Sequence, residues 1–333
     1  MKSDRFYKNL VNAIAAFAMI AAGSCNRGKN NVWTTAMDLS PDGQRLAVAR
    51  SDGTVTLGRT TSKEVLWTTT LAGQKGSRAV SILFLGQGDE LVSSDALVKD
   101  RHFAPGGASR LTIWNAKNGI INRIDHSAGG TNALASASLS DGWRIAALDA
   151  SGIAILESRK KRFNRSRIQF TQRSLCTLAF SLDARMLVGT GYDHCTVWDV
   201  KSGKQKMSVQ LDGLSVFYAT FTPDSKQVLL LGDTDEFIRY FDVDSGKITR
   251  RVRWFEGFRN VSVAGDRMRM ASCGHDEPGA MVWNIATGER IVTLGRPANY
   301  SHVSISSDGA QVAAVRVGGV DLKDIDVWQV NGN

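Results

Sequence analysis

Residues 175–211 read LCTLAFSLDARMLVGTGYDHCTVWDVKSGKQKMSVQL, and this stretch carries its own punctuation. Four short β-rich runs, 175–181, 186–191, 195–200 and 206–211, are separated by LDA, YDH and KSGK. Asp, Gly and Ser in such clusters supply positive φ or a side-chain oxygen that closes a turn locally. The spacing predicts four antiparallel strands, each turning back into the next.

The same unit recurs on both sides. The Asp in the turn between the first two strands is Asp42, Asp89, Asp141, Asp183, Asp224, Asp266 and Asp308, with a basal period of 42 residues and two longer steps of 47 and 52. Four antiparallel strands every ~42 residues mark a propeller blade, and radial repetition leaves few sheet edges exposed. Length alone, 333 residues, suggests two ordinary domains. The repeat turns that length into one ring. A hydrophobic fraction of 43% is enough for a core, and 4 cysteines are too few for a disulfide-held scaffold. No apolar run reaches the ~18–20 residues of a membrane-spanning helix. The formal charge of +9 speaks to partners rather than to fold.

Trp198-Asp199 is a Trp-Asp dipeptide closing a third strand, with Trp114-Asn115, Phe241-Asp242, Trp283-Asn284 and Trp328-Gln329 as weaker versions. SPDG (40–43), LSDG (139–142), TPDS (222–225) and SSDG (306–309) stand at the turn after the innermost strand. On these motifs the chain resembles the WD-repeat β-propellers over about residues 33–330. ATGERIV (286–292) and SKEVLW (62–67) also resemble quinoprotein-like propellers, which implies the same architecture. The Gly-His that the WD family often places before each first strand is missing, which implies degraded side-chain hydrogen-bond tetrads. The expected fold is all-β: a seven-bladed β-propeller of four-stranded antiparallel blades. Unit seven ends at DIDVWQV (324–330), so the last blade is expected to be three-stranded or closed by the N-terminal segment. The spacing of the other units puts a closing strand at Ser24–Asn30, where CNRGKN is polar and a poor strand former.

MKSDRFYKNLVNAIAAFAMIAAGSC (1–25) opens on basic Lys2, Arg5 and Lys8, continues through apolar Val11–Ala22, and ends on small residues before Cys25. That order is a secretory signal, too short to span as a permanent helix. An ordinary amphipathic first helix is the alternative. Ala22-Gly23-Ser24-Cys25 resembles a bacterial lipobox, although Ala22 stands where the family usually has Leu, and a cut near Ala16-Phe17-Ala18 competes. The expected division is a signal peptide at 1–24, a short tether at 25–32 beginning at a lipidated Cys25, and a single propeller at 33–333. The destination is the periplasm or cell envelope. The lipobox resemblance implies outer-membrane sorting, because Asn26 rather than Asp follows the cysteine.

Strands are lettered a to d from the axis outward. Antiparallel neighbours put the b–c and d–a loops on one face and the a–b and c–d turns on the other. From the turn Asp to the strand-c position, units one, three and four take 15 residues, units five and six 17, unit seven 20 and unit two 25. The extra length gathers in the b–c loops, and insertions on one face of a repeat protein mark its binding face. Candidate partner-binding residues are Arg101, His102 and Phe103 in KDRHFAPGGAS (99–109), then Asp233, Asp235, Glu236, His275, Asp276, Glu277, Asp321 and Asp324. They suit a basic or polar segment of a partner protein; the alternative is solvated turn residues chosen for backbone reasons. His102, His194 and His275 are expected in b–c loops, His126 and His302 in d–a connections. They come from different units without the spacing of a zinc site, so no metal or cofactor is expected.

The opposite face and rim are basic. ESRKKRFNRSR (157–167) carries Arg159, Lys160, Lys161, Arg162, Arg165 and Arg167 around Phe163, and KITRRVRW (247–254) adds four more. Such a patch suits anionic lipid headgroups beside an anchored Cys25. Nucleic acid is not an expected partner of an exported protein, and edge strands also carry Lys and Arg simply to prevent pairing. No nucleophile elbow, paired phosphate loop or zincin helix appears, so the chain is not expected to be an enzyme. A propeller enzyme or metal-dependent hydrolase or lactonase using the central channel is the first alternative, with Asp38 and His302 as its candidates. An intracellular WD-repeat scaffold is the second. Cys176 and Cys195 lie two strands apart, about 9–10 Å, too far for a disulfide, and with Cys273 they read as buried thiols. The leading reading is a monomeric, non-catalytic scaffold, membrane-anchored through Cys25, that presents its b–c and d–a face to a partner protein.

Overall fold

A computed structural model describes residues 32–71, 77–99, 102–103, 110–125, 133–149, 152–160, 162–170, 175, 177–191, 194–211, 216–232, 237–253, 258–274, 279–295 and 298–330. The proposed signal, Cys25 and the window for a closing strand lie outside the described residues. Within them, seven antiparallel sheets follow one another along the chain.

Blade I pairs Thr34–Leu39, Arg45–Arg50, Thr54–Arg59 and Val65–Thr70 in that order. Blade II is Ser77–Leu85, Glu90–Lys99, Arg110–Asn115 and Ile121–Asp125, with His102–Phe103 paired to its second strand. Blade III is Leu134–Leu139, Gly142–Asp149, Gly152–Arg159 and Arg162–Ile168; blade IV is Thr177–Phe180, Met186–Thr190, His194–Asp199 and Gln205–Gln210. Blade V is Val216–Phe221, Gln227–Gly232, Phe237–Asp242 and Ile248–Arg253; blade VI is Phe258–Val263, Arg269–Gly274, Ala280–Asn284 and Arg290–Leu294. Blade VII has three strands, Tyr300–Ile305, Gln311–Arg316 and Ile325–Gln329. Its inner strand lies against that of blade I and closes the ring. The architecture is the expected all-β, seven-bladed propeller with a three-stranded last blade. No helix among the described residues is long and apolar enough to cross a membrane.

The core is divided among the gaps between blades. Alternate residues of a strand point to opposite faces of its sheet, so each blade contributes to two clusters. In blade IV, Leu187 and Trp198 pack on Ile155 and Ile168 of blade III. Val188 and Val197 pack on Phe221 and Leu230 of blade V. The same division holds in the other five gaps, including that between blades VII and I, where Ala313 and Ile325 meet Leu39 and Val48.

The repeated polar residues hold the turns. Ser181 Oγ donates to Asp183 Oδ1 at 2.7 Å, Asp183 accepts Arg185 N at 3.0 Å, and Ser181 Oγ accepts Met186 N at 2.9 Å. Thr222–Asp224 and Ser306–Asp308 repeat the arrangement at 2.7 and 2.6 Å. The Asp of the Trp-Asp dipeptide acts likewise one turn later: Asp199 accepts both Ser202 N and Ser202 Oγ. Hydrogen bonds to the ionised form hold Asp199, Asp224, Asp242 and Asp308 below the usual carboxylate range.

Parts of the tetrads survive. Trp114 Nε1 donates to Ser93 Oγ and Trp283 Nε1 to Ser272 Oγ, both at 2.9 Å. In blade IV Gly189 occupies the corresponding position, and a Cβ there would lie 2.9 Å from the Trp198 ring. Two histidine placements are corrected: His194 opens strand c of blade IV, and His302 lies within strand a of blade VII. Both follow from pairing that begins earlier than the turn residues suggest, at His194↔Gln210 and Tyr300↔Arg316. Cys195 and Cys273 are buried, and burial pushes the Cys195 thiol upward.

Candidate functional site

The longest b–c loop grows from an extended hairpin. In blade II the pairing of strand b with strand c ends at Asp95↔Arg110, but strand b continues to Lys99. It stays paired to an unusually long strand a through Ser77↔Leu97, then turns back through Val98↔Phe103 and Lys99↔His102. Four residues of strand beyond the last b–c pair amount to about 13 Å of ribbon. His102 and Phe103 therefore occupy the return limb of a hairpin, and Arg101 lies outside the described residues. At the base of the ribbon, Arg110 Nε donates to Asp95 Oδ2 at 2.9 Å in a buried ion pair. Burial raises the Asp95 carboxyl, while Arg110 draws it down.

Blade VII contributes a further described b–c segment, residues 317–324. Arg50 Nε of blade I donates to Val320 O at 2.6 Å, and Thr34 Oγ1 donates to Gly319 O at 3.1 Å. A short 3₁₀ turn, Leu322–Asp324, buries Leu322 between blades VII and I. It packs so closely that a Cβ on Gly58 would come within 2.1 Å of Leu322 Cδ1. Asp324 accepts Val320 N and Asp321 N at 3.0 Å each, so it organises the segment. Asp321 and Lys323 are exposed. The other acidic and His candidates of this face, Asp233, Asp235, Glu236, His275, Asp276 and Glu277, lie outside the described residues.

Around the axis, polar side chains are committed to holding neighbouring blades. Asp38 accepts Phe84 N of blade II at 2.8 Å and Ser304 Oγ of blade VII at 3.0 Å, while Ser304 Oγ accepts Leu39 N at 2.9 Å. Burial pushes the Asp38 carboxyl up to about 7 against these hydrogen bonds. Asn260 and Ser262 of blade VI accept Val303 N and Ile305 N of blade VII at 3.0 and 3.3 Å. Arg267 crosses from blade VI to donate to Thr220 Oγ1 at 3.2 Å and Phe180 O at 3.1 Å. This belt was not anticipated. Its signal is positional: Asp38, Thr220, Ser262 and Ser304 each stand four residues before a turn Asp.

His302 Nε2 donates to Thr35 O at 3.2 Å. That is three residues along the strand from Asp38, about 10 Å, so the two channel candidates form no common site. Among the described residues, no three His, Cys, Asp or Glu side chains converge as metal ligands.

The basic patch is divided by its partners. Arg159 Nε donates to Glu157 Oε1 at 2.6 Å, and Arg165 lies 3.7 Å from Asp125. Arg167 is half-buried and engaged, and Arg123 stacks on Phe163 at 3.5 Å from the ring centroid. Lys160 and Arg162 are exposed, and Lys161 lies outside the described residues.

No protein-family model matches the sequence, and no curated protein does. Solved structures do. The β-propeller domain of Cps50 (Swd1) from Myceliophteria thermophila superposes with a TM-score of 0.64 at 14% identity, over 90% of this chain and 96% of that one. A chain of the mitotic checkpoint complex gives 0.67 at 14% identity, over 92% of this chain and 93% of that one. Both neighbours are WD-repeat β-propellers, and at that identity the likeness shows the fold they share with this chain.

Proposed function

We propose that the protein is a monomeric, non-catalytic interaction scaffold whose b–c and d–a face engages a partner protein. The observation that carries this reading is the blade II ribbon, which extends the a and b strands beyond their blade on the face where the long loops gather. Surfaces that contact partners in repeat proteins are built from such per-repeat extensions, while the repeated positions keep the fold. Here the repeated Asp, Ser and Trp residues close turns or fill gaps, and the channel polar groups tie blades together. Replacing residues 99–109 with a two-residue turn tests the reading. The variant is expected to keep its melting transition and lose its co-purifying partner; retention of the same partner would overturn the face assignment.

The same reading places the protein in the cell envelope, exported by residues 1–24 and anchored through a lipidated Cys25. Support comes from the order of basic, apolar and small residues before Cys25. Mass spectrometry of the mature N-terminus checks it: a diacylglyceryl-modified Cys25 is expected, and an unprocessed Met1 contradicts it.

A further inference from the structure

On the opposite face a cleft lies between the a–b turns of blades III and IV. The cleft holds about 350 Å³ and is lined by Ser140, Arg144 and Arg159 on one side and Leu182, Asp183 and Arg185 on the other. Across the blade III sheet Arg144 stands opposite Glu157, and Arg159 stands opposite Arg162. Directly opposed residues share a sheet face, as do residues two apart along a strand, so all four side chains lie on one side. Arg144 also donates to Ala184 O, so that side is the one turned to blade IV.

The carboxylates here are already committed. Glu157 takes Arg144 on Oε2 and Arg159 on Oε1. Burial raises its carboxyl, but the two guanidinium groups outweigh this and hold it below its usual range. Asp183 accepts Ser181 Oγ and Arg185 N within its own turn, and Asp141 reaches Arg159 at 3.5 Å. Arg185, with 83% of its side chain exposed, meets Asp183 only at 3.7 Å. Lys160 and Arg162 have no carboxylate partner among the described residues. Of the basic groups lining the cleft, Arg144 and Arg159 meet Glu157 and Asp141 and Arg185 meets Asp183, and Arg162, opposite Arg159 on the same side of the sheet, adds a charge with no carboxylate partner among the described residues. Like charges directly opposite on paired strands, as at Arg159 and Arg162, disfavour the pairing unless an anion sits between them. At the lip, Leu182 is 46% exposed.

We infer that this cleft, with Arg162 beside it on the same side of the blade III sheet, binds an acidic segment of a partner polypeptide, with carboxylates held by Arg159 and Arg185 in the cleft and by Arg162 next to it, and an apolar side chain resting on Leu182. Guanidinium groups suit this role because their planar donors match a carboxylate pairwise. A concave site with an apolar lip accepts a peptide side chain, whereas a bilayer meets exposed basic side chains on a flat surface. The site is independent of the ribbon face, and each can fail alone.

The probe is a fluorescently labelled peptide of four glutamates around a central leucine, titrated by anisotropy against the intact protein. Arg185→Glu and Arg162→Glu are each expected to weaken binding about fivefold or more, as for partly exposed ion pairs reversed in sign. Lys204→Glu, on the c–d turn of blade IV, should leave it unchanged. Both reversed residues are exposed, and an unaltered melting curve shows that the fold is kept. Failure of the peptide to bind, or binding indifferent to both reversals, overturns the proposal. So does loss of phosphatidylserine vesicle binding in those variants while peptide binding stays intact.

Discussion

Asp38 is the carboxylate that a search for catalytic groups along the axis meets first, and its surroundings make it a clip joining blades VII, I and II. Its carboxyl is raised from 3.8 to about 7 by burial. Between those values the folded protein keeps a proton that the unfolded chain has released. The stability contributed by this group therefore falls as pH rises from about 4 to about 7, and is level above that. Asp199, Asp224 and Asp308 are shifted the other way; what they contribute is present above about pH 4 and is lost as pH falls below it. Urea unfolding at about pH 5 and about pH 7.5 should show wild type losing stability with rising pH, by at most about 1.4 kcal/mol per unit. Asp38→Asn should show a shallower slope, the raised Asp95 carboxyl still contributing, and equal slopes would show that Asp38 does not carry it. The sequence made the turn Asp residues legible because they repeat. It did not reveal the belt, whose positions are polar in blades I, V, VI and VII but Leu85, Ala137 and Ala179 in the other three.

Single glycines and free edges decide how individual strands sit. In blade III, strands b and c approach so closely that a Cβ on Gly142 would lie 1.8 Å from Ser158 O. Backbone cannot yield as a flexible side chain does, so Gly142→Ala should cost about 1–3 kcal/mol and be evident in the melting temperature. Among the described residues, strand c of blade VII has no outer neighbour. Trp114, Trp198 and Trp283 are buried in strand c of their blades, whereas Trp328 is half-buried and Gln329 exposed. Amide hydrogen exchange should therefore run faster across 325–330 than across 194–200, since an edge strand leaves half its backbone groups to water. Equal protection would mean that a further strand covers the edge. The three strands of blade VII were legible because the apolar runs on either side of the Asp308 turn, and DIDVWQV (324–330) after them, repeat the pattern of the other units. The blade II ribbon was legible only as extra length, since its pairings join positions that no local pattern connects.

At the scale of the whole molecule, every blade lends residues to two clusters, so the ring is one packed object and the repeat period sufficed to foretell it. Function is harder to foretell, because this architecture hosts many unrelated activities and the distinguishing residues sit in loops of differing length. Of the predicted face residues, Asp321 is exposed, and Asp324 accepts the backbone N–H groups of its own loop. Of the predicted basic patch, Arg159 and Arg165 stand beside carboxylates, Arg159 also lines a cleft that the sequence did not indicate, and Arg162 stands opposite it on the same side of the sheet. Charge runs name the rim but not which members are neutralised, because the partners Asp125 and Asp141 come from other strands and turns. The central claim is that the ribbon face meets a partner protein. A photo-crosslinking amino acid placed at Phe103, and separately at Lys226 on the opposite face, tests it in living cells. A discrete protein adduct from Phe103 with none from Lys226 is the predicted result; no adduct from Phe103, or the same adducts from both positions, would contradict it.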